Sequence, residues 1–195
     1  MVIERGKEND CKDCRLHKTR SKVVFGRGNK EADIVFCGEA PGRDEDETGR
    51  PFVGKAGKLL NIIIKGIGLN RKDVFITNAC LCRPPNNRRP FPSEIKACRA
   101  RLLKTLRQRG KLVVLLGRSA SKAVLGCNDL AWGRPYYSKK IKKFCVTTKH
   151  PSWYLYGNQK YLHFGIIEIK SAIEEAKQLS RFKREERRKM LCKIS

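Results

Sequence analysis

Cys11-Lys12-Asp13-Cys14 is a polar C-x-x-C, a spacing that lets two thiolates grip one metal centre. Two further cysteines from the stretch Cys80, Cys82 and Cys98 would complete a four-thiolate site. Such sites hold tetrahedral zinc or an iron–sulfur cluster. Spacing alone does not choose between them, or against a bare C-x-x-C with unrelated cysteines. Gly38-Glu39-Ala40-Pro41-Gly42 sets a carboxylate among glycines whose backbone can approach a ligand closely, although a sharp turn would explain the glycines and the proline equally well. Asn78 presents a donor and an acceptor side by side, the complement of one edge of a pyrimidine, or else forms a turn. Phe52, in Pro-Phe-Val-Gly, is an exposed stacking platform or a hydrophobic plug. His150 precedes Pro151 and is either a hydrogen-bonding group or a loop cap. Gly49-Arg50-Pro51-Phe52-Val53-Gly54-Lys55-Ala56 nearly spells a phosphate-binding P-loop. Ala56, however, replaces the hydroxyl residue that would hold magnesium, no strand leads directly into the run, and Pro51 removes an amide from the cradle. Nucleotide hydrolysis is thereby excluded.

The elements that must position these residues alternate between strand and helix. Strands are expected at 33–37, 73–77, 111–116 and 144–148. Helices are expected from Lys55 to about Ile67, from a Ser93 cap to about Arg109, over Ser119–Leu125, and from near Tyr161 onward. The run after Gly38 reads as a loop rich in Gly, Pro and carboxylates, and Cys82 to Pro90 as irregular. The expectation is an α/β protein, a three-layer α/β/α sandwich around a central four-stranded parallel sheet. Ligands in such sheets bind beyond the carboxyl ends of the strands, which begin here at Gly38, Asn78, Gly117 and His150. Glu39, Asn78 and His150 therefore meet at one edge, with Phe52 in the loop beyond the first strand.

Composition bounds the partners. The chain of 195 residues carries 44 Lys and Arg against 19 Asp and Glu, a formal charge of +25. The basic residues are spread along the chain, which suits a broad nucleic-acid face, with a merely solvated surface as the bland alternative. Carboxylates crowd only between Glu39 and Glu47. An odd count of 9 cysteines without an export signal argues against a disulfide framework; Cys37 and Cys145, inside apolar runs, read as core. No run is long enough to span a membrane, and the expectation is a cytoplasmic monomer. Residues 1–182 read as one domain, and 183–195 as a basic, solvated extension of the last helix.

Taken together, the segments resemble the family 4 (iron–sulfur) uracil-DNA glycosylases of the uracil-DNA glycosylase superfamily. The likeness rests on Gly38 through Leu60, then Ile76-Thr77-Asn78, Cys82-Arg83-Pro84-Pro85 with Asn87-Arg88, and His150-Pro151-Ser152, in that order. It covers the chain from about Cys11 to about Ile173. It implies a [4Fe-4S] cluster held by Cys11, Cys14, Cys82 and Cys98. Cys82 is selected over Cys80 because the family's ligand directly precedes Arg-Pro-Pro. The resemblance also implies hydrolysis of the N-glycosidic bond of uracil flipped out of DNA, leaving an abasic site in base-excision repair.

On that resemblance Phe52 stacks on uracil and Asn78 reads its Watson–Crick edge. His150 and the backbone around Glu39, Ala40 and Pro41 stabilise the departing base. Glu39 is the first choice to orient water and Glu45 the second. Ser119 and Ser152 would contact the DNA backbone. Trp153 or Tyr154 would fill the space vacated by the flipped base, where the family more often carries small or aliphatic residues. Leu81 is a second departure, since the family usually has Lys there. No insertion like that of the DNA-crosslinking relatives is visible, and no complete sliding-clamp motif. The alternatives are an iron–sulfur DNA-binding protein with altered or lost base specificity, and a zinc-stapled nucleic-acid module.

Overall fold

The computed structural model describes residues 10–127, 129–155 and 158–181; the basic extension expected at 183–195 lies outside them. Four short apolar runs form the parallel centre of one sheet: β2 (Ile34–Gly38), β3 (Phe75–Asn78), β4 (Leu112–Leu116) and β6 (Lys143–Thr148). Every residue of β2, β3 and β4 is buried, as strands covered on both faces require. Alternate side chains feed two cores. Ile34, Phe36, Val114 and Val146 pack with helices α2 (Lys55–Gly66) and α5 (Leu162–Arg181). Val35, Cys37, Val113 and Cys145 pack with α3 (Pro92–Gln108) and α4 (Arg118–Leu125). The three-layer sandwich therefore forms as expected. Burial pushes the Cys37 thiol up to about 12 and raises that of Cys145 as well, consistent with inert core residues.

The sheet is wider than the four strands expected. Its order is β1-β3-β2-β4-β6-β5, with β1 (Arg27–Gly28) and β5 (Arg134–Ser138) added antiparallel at the edges. Neither carries an apolar run: β1 is two exposed residues, and β5 contains Pro135, which only an edge strand tolerates. A second correction concerns the acidic loop. Residues Arg43–Thr48 form helix α1, which has no apolar periodicity to announce it. Asp44, Glu45 and Asp46 fill its first turn, where helix amides and dipole favour negative charge, and Gly49 ends it in the left-handed region. Helix α3 begins at Pro92 after an N-cap at Phe91, so Ser93 lies inside its first turn and is not the cap. Among the described residues no helix is long and apolar enough to cross a membrane.

Strands β2 and β3 end level, Gly38 beside Asn78, and β4 and β6 end level at Leu116 and Thr148. That register delivers the loops of interest to one edge. The Phe52 loop reaches the same edge through close backbone packing, because a Cβ on Gly57 would overlap the Phe52 carbonyl. Gly57→Ala should therefore shift this loop and lower unfolding free energy by roughly 1–3 kcal/mol in urea denaturation. Unchanged stability would show that the close approach is dispensable.

Candidate active site

A cleft of about 960 Å3 opens at the carboxyl edge of the sheet, lined by Glu39, Phe52, Asn78, Ser119, His150 and Trp153 among others. The expected candidates Ala40, Pro41, Glu45 and Ser152 also border it. Tyr154 does not: it is 1% exposed, and its hydroxyl packs against Gly165 in the α2/α5 core. Of the two aromatics expected to fill the space left by a flipped base, only Trp153 borders the cleft. Trp153 stays half-buried, with the Lys149 ammonium 4.0 Å above its ring and the Tyr161 ring tilted against it at 5.8 Å.

Phe52 is buried and adopts φ 53°, a left-handed conformation costly for a bulky residue. Its surroundings hold it there. One Glu45 oxygen accepts the amides of Val53 and Gly54, both at 2.8 Å, and the other accepts the Gly42 amide at 3.0 Å. Arg71 donates to the Pro51 carbonyl at 2.7 Å from beneath. Glu45 is thus committed to backbone, which corrects the expectation that it could orient water. The Phe52 ring lies against Gly38 and sits 5.9 Å from the His150 ring.

Asn78, 1% exposed, has its Oδ1 buried without a hydrogen-bond partner. Leaving such an acceptor unmade costs about 1–3 kcal/mol, which a bound donor would recover. An added Cβ at Gly38 would approach this oxygen to 2.5 Å, so the glycine gives the amide its room.

His150 follows β6 and caps the turn Pro151–Tyr154. The Ser152 amide donates to His150 Nδ1 at 3.2 Å, and Ser152 Oγ lies 2.8 Å from the same nitrogen. Because Nδ1 accepts, the neutral ring carries its proton on Nε2. Although half-buried by exposed area, the imidazole lies deep among protein atoms, and burial pushes its pKa down to about 4. Ser152 is occupied here as a positioning group, whatever it also offers to DNA. Ser119, expected at a phosphate, instead gives its hydroxyl proton to Glu39 Oε2 at 2.5 Å. Among the described residues Glu39 has no other side-chain partner, which leaves its second oxygen for a ligand.

None of the expected ligand cysteines lines the cleft. All four expected thiols have N–H donors: Arg101 on Cys11 Sγ at 3.6 Å, Arg20 on Cys82 Sγ at 3.3 Å, the Leu16 amide on Cys14 and the Leu81 amide on Cys98. Cys80 donates its own thiol proton to Cys98, which pulls the Cys98 thiol down and pushes that of Cys80 up. Leu16, Val23 and Leu81 pack with Cys82 and Cys14 in one small apolar cluster, while Cys98 belongs to the core under α3. No His, Cys, Asp or Glu group among the described residues has the closeness a single metal ion demands. Sulfurs that accept N–H bonds are favoured as thiolates, the form in which cysteines ligate an iron–sulfur cluster.

Sequence reasoning missed several residues that line the cleft. Trp132 lies in no motif, and Leu155 and Lys149 only flank one. Arg88 was part of a quoted motif, yet it is held bidentately by buried Glu94 at 2.7 and 2.9 Å and serves to anchor the proline-rich loop. The hydrogen bond from Arg88 keeps the Glu94 carboxyl below its ordinary range.

The family model of the Uracil DNA glycosylase superfamily matches residues 25–176. A Type-4 uracil-DNA glycosylase of Saccharolobus solfataricus is 50% identical over 178 residues, covering 84% of this chain and 82% of that one. Those of Archaeoglobus fulgidus and Thermotoga maritima are 45% and 40% identical, covering 76% and 91% of this chain and 80% and 92% of theirs. A solved structure of Pedobacter heparinus SMUG2 overlaps with a TM-score of 0.52 at 16% identity, over 76% of this chain and 77% of that one, a likeness of fold. The chain belongs to the uracil-DNA glycosylase superfamily and, within it, to the Type-4 uracil-DNA glycosylases.

The His150 geometry carries a stability test. Its folded pKa of about 4 lies below the ordinary 6.5, so between these values the unfolded chain binds the extra proton. Unfolding free energy should therefore fall as pH drops from 6.5 toward 4, and His150→Gln should lack this component. An identical pH dependence in the variant would contradict the assignment.

Proposed function

We propose that this protein is a monofunctional uracil-DNA glycosylase of base-excision repair, acting as a monomer on uracil flipped out of DNA. The observation that carries the site assignment is the buried, unpaired Asn78 Oδ1 beside the Phe52 ring. Uracil offers N3–H to that oxygen and O4 to the amide nitrogen, while its ring stacks on Phe52. Cytosine presents an acceptor and a donor in the reverse order and would leave buried groups unpaired.

Bond breaking moves the C1′–N1 electron pair onto uracil and leaves positive charge on the sugar. His150, neutral at working pH with its proton on Nε2, donates a hydrogen bond to uracil O2 as negative charge grows there. The backbone around Glu39, Ala40 and Pro41 borders the same space. Glu39, oriented by Ser119, aligns water for attack on C1′ and takes up its proton. Arg43, Lys55, Arg89, Arg118 and Lys149 line the cleft and give DNA affinity without sequence preference.

Cys11, Cys14, Cys82 and Cys98 would hold a [4Fe-4S] cluster, the four N–H···S donors being the supporting observation. Its contribution when bound is a covalent staple between the N-terminal segment and the proline-rich loop. Removing N–H donors and thiolates together would loosen both. Purified protein should carry about four iron and four inorganic sulfide per chain. Stoichiometric zinc in place of iron would establish the zinc-stapled module.

Alkali-induced strand cleavage of end-labelled DNA with one uracil tests the activity. Wild type should cleave at uracil, and His150→Ala should lower kcat by about 10²–10³-fold. Asn78→Asp should lose its preference for uracil over cytosine. Between pH 7 and 5.5 the wild-type rate should show no loss from protonation of His150, since its pKa lies near 4. No cleavage by iron-loaded wild type would favour the protein of altered base specificity.

A further inference from the structure

Phe52 borders a second cavity, of about 340 Å3, that the glycosylase reading leaves without a use. Arginines from three separate elements wall it: Arg27 on β1, Arg50 in the loop before Phe52, and Arg71 in the turn Arg71–Asp73 before β3. No carboxylate lines it, in contrast to the first cleft with Glu39, Asp44 and Glu45. Arg27 and Arg50 are exposed, and among the described residues neither guanidinium has a hydrogen-bond or ion-pair partner. Arg71 is half-buried and fixed in place, donating to Asn61 Oδ1 at 2.8 Å and to the Pro51 carbonyl at 2.7 Å. Those two bonds use two of its five N–H donors. Burial lowers its pKa, and the charge of Glu45 offsets this only in part.

Guanidinium groups converging on a small, acid-free cavity match the tetrahedral oxygens of phosphate, which Arg engages through paired N–H donors. We infer that the Arg27/Arg50/Arg71 cavity is a phosphate-binding site, taking either a phosphodiester of the bound strand near the flipped nucleotide or a free phosphate. The segment that nearly spells a P-loop thus meets phosphate through arginine side chains and not through loop amides. The same Arg71 that would touch the phosphate holds Pro51, whose peptide leads into Phe52 at φ 53°. Occupancy would therefore stiffen the stacking loop.

The test compares wild type, the double variant Arg27→Ala/Arg50→Ala, and a control, Lys96→Ala/Lys104→Ala, that removes equal charge from exposed positions on α3. In the first arm, single strands with an uncleavable 2′-fluorinated deoxyuridine are lengthened one nucleotide at a time on each side. Binding is followed by fluorescence polarisation. Wild type should gain roughly tenfold in affinity on adding one particular phosphate, and the double variant should lack that step. Its slope of log K against log salt should fall by about 1–2 relative to wild type. In the second arm, inorganic phosphate is titrated by calorimetry into the same proteins. Loss of the length step assigns the strand phosphodiester. Saturable phosphate binding that only the double variant loses, with the length step intact, assigns a free phosphate.

No effect in either arm, or an equal loss in the control, overturns the proposal, provided circular dichroism finds the double variant folded; if it is unfolded, Arg50→Lys takes its place. The strand arm rests on the glycosylase reading, so uracil release by wild type is measured in parallel. Its absence would sink that reading while the phosphate titration still decides the cavity.

Discussion

The last residues of β3 and β6 are buried at the floor of the cleft, and the chemistry of the cleft follows from that burial. A buried imidazole sheds its proton, and the Ser152 amide on Nδ1 decides which nitrogen keeps the remaining one. A buried amide at Asn78 is left with an unpaired oxygen, which raises the free energy of the empty site and is relieved by a ligand with a matching donor. Glu39, at the tip of β2, keeps one oxygen tied to Ser119 and presents the other. In the proposed mechanism each group is preset in the form in which it would act, which is how electrostatic stabilisation comes without reorganisation.

Holding a bulky residue in a left-handed conformation at this edge needs external support, and helix α1 supplies it in two directions. Glu45 reaches toward the Phe52 loop, while Asp46 accepts the amides of Ser21 and Lys22 at 3.0 to 3.2 Å. Arg20, next in the chain, donates to Cys82. The acidic run thus rivets the cysteine-bearing segment to the stacking loop. Carboxylates beside a DNA-binding face are tolerated because two of them are spent on backbone amides. Glu47 pairs with Arg43 on the surface and contributes little to stability.

How much of this was legible depended on what each residue type announces. The central strands and the long helices α2, α3 and α5 declare themselves through apolar periodicity, and the edge where Glu39, Asn78 and His150 meet follows from parallel topology. Helix α1 and strand β1 have no such signal. α1 is stabilised by caps and its first-turn charge, and β1 by two residues of pairing to β3. Roles that depend on orientation were also out of reach. Glu45 and Glu39 are equivalent as letters, yet one faces amides and the other faces Ser119 and the cleft. Tyr154 and Trp153 are adjacent aromatics, but the turn after His150 sends the first into the core and leaves the second at the cleft. The arginines of the second cavity are separated by more than twenty residues at each step and only Arg50 lies in a motif, so only the sheet and the Phe52 loop bring them together.

The central claim, that His150 is neutral with its proton on Nε2, is tested most directly by nitrogen NMR of the histidine rings in folded protein, with His150→Gln to assign the signal. The account predicts an Nε2–H tautomer whose shifts stay constant from pH 8 to about 5 and begin to titrate only near 4. A ring protonated on Nδ1, or one that titrates near 6.5 like an ordinary exposed histidine, would contradict it.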